Sequence, residues 1–177
     1  MEKDTLSWTT PFNKPFIKNH DMYEEPIGRV KEAYFSQSEF VEDRDAINVT
    51  FRVVDKNAIE KFIDGRYKTV SIGGSPNTVS CNVCGKSILK DGSFKFCGHW
   101  KGNIYNGKKA IWTYTDIKYN ECSVVNNPAD QFAQVKKITL LTGESGLKQK
   151  DSKDGENMED ASLIGEILGQ TDPNVEP

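Results

Sequence analysis

Two short stretches, CNVCG at 81–85 and CGH at 97–99, constrain this chain more than any other part of it. Cys81 and Cys84 form a Cys-x2-Cys knuckle, and after twelve further residues Cys97-x-His99 completes a set of three thiols and one imidazole. These are the donors that tetrahedral Zn²⁺ takes in structural sites. Gly85 lets backbone amides turn toward the sulfurs, and Lys86, Lys90 and Lys95 offset the negative charge of three thiolates around one dication. The Cys-x-His spacing is tighter than is usual, which keeps Asp91 open as an alternative fourth ligand. A catalytic zinc keeps an open position and commonly uses histidines with a carboxylate, so a full set of three cysteines and His99 predicts a closed, structural ion. The competing reading is a group of free buried thiols.

The remaining composition sets wide bounds. With 177 residues and 36% hydrophobic content, one domain with a real core is expected, and no disulfide staple is needed. No stretch approaches the roughly 20 apolar residues of a membrane span, and MEKDTLSWTT lacks the apolar run of a secretory signal, so an intracellular, membrane-free protein is expected. Cysteines gathered in one segment suit thiolate ligation in a reducing compartment. Of the net charge of −3, residues after 143 carry −6 and the rest +3; neither value suggests a nucleic-acid partner.

Residues 27–36 and 45–54 show β-branched and aromatic residues in partial alternation and are expected to pair as strands. Asn57 is a candidate cap for a short helix, AIEKFI, which Gly65 ends before the strand YKTVSI and a Ser-Pro-Asn turn. AIWTYTDIKYNECSVV reads as a long strand, and residues 129–141 as a helix or a final strand. The chain therefore divides into a folded domain over 1–142, with a zinc-binding insertion at about 78–102, and an acidic tail over 143–177 whose composition predicts disorder. Within that tail ASLIGEILGQ (161–170) has apolar residues at helical spacing, as a recognition segment or a helix docking on the core would.

If the metal is scaffold, Ser71 at the end of TVSIGG becomes the candidate for chemistry. A serine nucleophile needs a base in reach and a third group to orient that base, and with His99 on zinc the other histidine is His20. Ser123 in ECSVV is a rival nucleophile; Glu121 and Ser123 would share one face of a strand, and Cys122 would face the core as an inert thiol.

Three segments together resemble the phage prohead (capsid maturation) proteases, which share a fold with the herpesvirus protease assemblin. NHDMYEEPIGRV resembles the family's histidine segment, TVSIGG its nucleophile strand, and ECSVVNNPADQFAQV its Glu-x-Ser-Leu-Val-x-x-Pro-Ala segment, in the family's order over residues 20–135. The resemblance implies a mainly β, α+β protein with a few helices, a herpesvirus-protease-like barrel carrying the zinc-binding insertion. It implies Ser71 as nucleophile, His20 as general base and then acid, and Glu121 as the third member. The oxyanion hole would come from Gly73 and Gly74 or from the turn after Val125. The activity implied is endopeptidase cleavage of scaffold and major capsid proteins inside an immature head in the host cytoplasm, with a homodimer allowed and no cofactor in the chemistry. The Ile164-Gly165-Glu166 pattern suits self-cleavage after Glu166. The rival classes are a zinc-ribbon module binding nucleic acid or protein, and a catalytically silent capsid or scaffold component. In the first of these, Phe94, Phe96 and Trp100 would be a contact platform; otherwise they simply pack around a small metal loop.

Overall fold

The computed structural model describes residues 2–38, 42, 45–141 and, as backbone, 162–170. The chain is mainly β. After a 3-10 helix (Glu2–Trp8) come β1 (Pro15–Lys18), β2 (Gly28–Gln37), β3 (Asp45–Val53), the helix α1 (Lys56–Ile63) and β4 (Val70–Cys81). Then follow β5 (Ser87–Lys90), β6 (Ser93–Phe94), β7 (Ile104–Tyr105), β8 (Lys108–Lys109), β9 (Trp112–Val124), β10 (Gln134–Leu141) and β11 (Ser162–Gln170). Among the described residues no helix is long and apolar enough to cross a membrane.

Nine strands form one sheet in the order β10-β11-β3-β2-β1-β9-β4-β5-β6, antiparallel except for the β1–β9 pair. The sheet curls so that the start of β4 meets β10: Val70 N–H donates to Ala133 O and Val135 N–H to Lys68 O, with a bridge between Thr69 and Gln134. That closure makes a barrel-like body around Trp8, Phe16, Val30, Phe51, Val53, Ile59, Phe62, Val70, Cys122 and Val124. Phe16, Phe51 and Phe62 pack ring on ring at its centre. The second half of β4 runs on past the barrel, pairing with β9 as far as Cys81 opposite Trp112. The metal segment is thus the loop of one long hairpin.

Several expectations meet a different local physics. The cap of α1 is Asp55, whose carboxylate accepts from Ala58 N–H, because the helix starts two residues earlier than a cap at Asn57 requires. Gly65 ends the turn at φ +79°. No turn forms at Ser75-Pro76-Asn77, which stays within β4; Pro76 lies where β4 has β9 on one side and β5 has not yet begun, an edge position that tolerates a missing N–H. Residues 134–141 are strand, the second of the two forms expected there. The helical spacing of 161–170 is not realised: Ser162–Gln170 is β11, paired with β10 on one side and β3 on the other. An ordered strand therefore interrupts the stretch expected to be disordered, and the rest of 143–177 lies outside the described residues. Glu166 itself is paired with Lys137 and Thr50.

Candidate active site and metal centre

The parallel β1–β9 pair brings His20 to Glu121. Lys18 lies opposite Val124, Asn19 N–H donates to Val124 O at 2.9 Å, and Asn19 and His20 then both take left-handed φ values, 49° and 59°. Asparagine visits that region readily; histidine does so less often and needs its surroundings to hold it. Here the His20 N–H donates to Ser123 Oγ at 2.8 Å, and its ring Nδ1 sits 2.8 Å from Glu121 Oε1. The loop beyond is pinned by Asp21 Oδ1, which accepts from the N–H groups of Tyr23 and Glu24, and by a 2.7 Å Lys18–Glu24 ion pair.

A bulge in the β4–β9 ladder sets which way Glu121 faces. Gly73 lies opposite Glu121 and Gly74 opposite Tyr119, leaving Asn120 as the extra residue. Tyr119, Cys122 and Val124 consequently belong to the core, whereas Glu121 and Ser123 point to the other face, beneath His20. The Glu121 side chain is 4% exposed against 44% for His20. Its Oε2 has no hydrogen-bond partner among the described residues. Burial raises the Glu121 carboxyl above the ordinary carboxylate range, and the contact with His20 pulls it part of the way back. The carboxylate has room only because residue 73 is glycine, since a Cβ there would overlap Glu121 Oε1. Gly28, in the Pro-Ile-Gly segment, is required in the same way by Arg52 O.

Ser71 is directly across the ladder from Ser123 and two residues before Gly73, so its side chain shares the face of Ser123 and Glu121. It is half-buried, and among the described residues its hydroxyl makes no hydrogen bond to His20. Ser123 is fully buried and its oxygen accepts the His20 N–H, which suits it to holding the histidine loop rather than to attacking a substrate. With Nδ1 turned to the carboxylate, the Nε2 of His20 is the nitrogen left for proton transfer. Gly73 and Gly74 are both inside the ladder, and the Val125 N–H is taken by Thr69 O at 3.1 Å. Cys122 is fully buried, and burial with the neighbouring Glu121 charge drives its thiol far above the ordinary value, so it is inert.

At the far end of the hairpin the donor atoms of Cys81, Cys84, Cys97 and His99 lie within 4.8 Å of one another. This group can hold a metal ion; four sulfurs and nitrogens at Zn–S distances would stand about 3.8 Å apart, close to the 3.7 Å between Cys97 Sγ and His99 Nδ1. His99, not Asp91, completes the group, because Asp91 is held in the exposed β5–β6 turn at φ 50°. Gly85 adopts φ +69° and donates its N–H to Cys81 O, closing the knuckle. Burial works against a thiolate at Cys81, but the backbone N–H groups of Cys84 and Val83 together with the Cys97 and Cys84 thiols lower it below its ordinary value. The Trp112 indole N–H donates to His99 O at 3.1 Å, and the Tyr105 ring packs edge-on to the His99 imidazole.

Sequence reasoning named Ser71, His20, Glu121, Ser123 and the four metal-site residues but missed three devices that place the first four. The left-handed Asn19–His20 step had a weak signal in Asn19, while the clearance at Gly73 and the bulge at Asn120 depend on a cross-strand register that spacing alone does not give. No family model, curated protein or solved structure matches the chain.

Proposed function

We propose that the chain is a serine endopeptidase of the prohead-maturation kind, built on a herpesvirus-protease-like barrel. The observation that carries the reading is the 2.8 Å contact between His20 Nδ1 and a buried Glu121 carboxyl, on the sheet face that Ser71 shares. A buried carboxylate on Nδ1 fixes the imidazole tautomer, leaves Nε2 as the base, and stabilises the imidazolium when it forms. Ser71 Oγ would attack the peptide carbonyl while its proton passes to His20 Nε2. Collapse of the tetrahedral adduct breaks the C–N bond, and His20 returns the proton to the departing amine. Water, deprotonated by His20, then releases the acyl group from Ser71. Closure of a Ser71–His20 hydrogen bond belongs to the substrate complex, since such contacts tighten on binding.

The substrates proposed are scaffold and major capsid proteins within an immature head, on the strength of the three-segment resemblance. The ion proposed at Cys81, Cys84, Cys97 and His99 is structural Zn²⁺, supported by the donor set and its closed coordination. Self-cleavage after Glu166 requires β11 to be drawn out from between β3 and β10, because a peptide bond in a doubly paired strand cannot enter a cleft. Cleavage of purified capsid and scaffold substrates tests the assignment. The wild type and Ser123→Ala should both cut, with Ser123→Ala slower, whereas Ser71→Ala should not. Normal cutting by Ser71→Ala with none by Ser123→Ala would refute the choice of nucleophile, and no cutting by the wild type would favour a binding module or a silent capsid component.

A further inference from the structure

Between Cys81 and Trp112 the chain holds six lysines, Lys86, Lys90, Lys95, Lys101, Lys108 and Lys109, against one acid, Asp91, while the chain as a whole carries −3. All of the lysines are exposed except Lys101, which is half-buried. The metal lobe is therefore a cationic end on an otherwise acidic protein. Its interior is filled by Val79, Cys81 and Ile88, with Leu89 and Trp112 packed against them. Phe96 packs edge-on to Trp112, and all three rings keep exposed surface: Phe94 and Trp100 are each 61% exposed and Phe96 40%. Packing around the metal loop therefore leaves ring faces open to solvent.

The Phe96 and Trp100 rings are also held beside each other. The Trp100 N–H donates to the Tyr105 hydroxyl at 2.9 Å, Tyr105 lies on a tight β7–β8 hairpin, and the Phe96 and Trp100 rings sit 4.5 Å apart. Lys95 stands between Phe94 and Phe96, and Lys101 follows Trp100. Exposed rings on a lobe of net positive charge match a polymer that alternates flat π-faces with negative charges. A duplex conceals its base faces, whereas unpaired bases offer theirs to exposed rings. We propose that the metal lobe binds single-stranded nucleic acid, stacking bases on Phe94, Phe96 and Trp100 and neutralising phosphates with the lysines around them. This binding is independent of the proteolytic reading, for Ser71 and Cys81 are ten residues apart along β4, about 30 Å of strand.

The test is fluorescence anisotropy of a labelled twelve-nucleotide oligothymidylate with the metal-loaded full chain. Saturable binding is expected at about 50 mM salt, with log affinity falling against log salt at a slope of about −2, the value for some three phosphates on a single strand. Trp100→Ala should weaken binding about tenfold, the loss of one stacked base. The double variant Lys90→Glu/Lys95→Glu should weaken it at least as much and flatten the slope, and Ser71→Ala should bind as the wild type does. If Trp100→Ala loses metal, the lysine variant decides, read together with Lys101→Glu and with the metal content of each measured, since these side chains lie outside the ligand set. Absence of binding at low salt, or unchanged binding in the lysine variant, overturns the proposal. So does displacement of the oligonucleotide by a glutamate peptide of equal charge at equal concentration, which would reassign the lobe to an acidic protein segment.

Discussion

The two ends of the β4–β9 hairpin use the same backbone ladder for opposite purposes. At the Ser71–Ser123 end the strands are walls of a closed barrel whose aromatic core holds them still, and the sheet can carry a buried carboxyl with an oxygen left unpaired. At the Cys81–Trp112 end the buried cluster consists of Val79, Cys81 and Ile88, too few side chains to fix a loop of some thirty residues. Three thiols and an imidazole, grouped so that they can hold a metal ion, would do there what a core does at the other end. The comparison teaches that burial and ligation are interchangeable ways to fix a loop, but that only the first leaves a fold able to bear an unfavourable charge.

The sharpest way to break the comparison is at the barrel end. Ser71→Ala should lower peptide cleavage about 10⁶-fold, as loss of a serine nucleophile does. Glu121→Gln should lower kcat by about 10⁴-fold through the wrong imidazole tautomer. Thermal unfolding should nevertheless show both variants at least as stable as the wild type at neutral pH, because neither change removes a core contact and the second removes a buried charge. A steep loss of stability in Glu121→Gln would recast the carboxyl as a structural group.

Metal removal should act only at the other end. Cys84→Ser should weaken metal binding by more than about 100-fold, the loss that follows from removing even an outer partner. Amide exchange should then rise over 81–112 while β1, β2, β3 and the first half of β4 keep their protection. Uniform loss of protection would show the two ends to be one cooperative unit.

Gly73→Ala sharpens the contrast further. The added Cβ meets Glu121 Oε1, so about 1–3 kcal/mol of stability and most of the activity should go together, whereas Gly92→Ala, which meets nothing within 4 Å, should pay only the φ +76° backbone cost and keep activity. Unfolding titrations and cleavage assays on the pair would separate steric from conformational effects.

The smallest expected effect is on pH. A carboxyl whose folded value is raised binds its proton more tightly in the folded chain than in the unfolded one. Glu121 thus contributes most to stability below the ordinary carboxylate range, and that contribution is lost as pH rises through the raised value. The stability difference between wild type and Glu121→Gln should shift in favour of the variant over that window and be flat above it. A constant difference would mean that Glu121 titrates normally.

Legibility in the sequence followed the range of the interaction. The metal group was readable because its ligands announce themselves by residue type and local spacing. The β2–β3 pair and β9 were readable because alternation is local too. What sequence could not show was long-range register: that Pro76 runs through a strand instead of turning it, that Gly73 exists to clear Glu121, and that Ser162–Gln170 is a strand although its apolar spacing also fits a helix. In each case a partner more than thirty residues away decides the outcome, and propensity yields to it.

Chemistry is proposed to reside at the barrel end, and the metal end to build only a surface. Labelling with a serine-directed phosphonate, before and after chelation, with the adduct located by mass spectrometry, tests it most directly. One adduct is expected, on Ser71, formed at a similar rate in metal-loaded and chelated protein and absent from His20→Ala. An adduct on Ser123, no adduct on the wild type, or labelling that vanishes with the metal would contradict it.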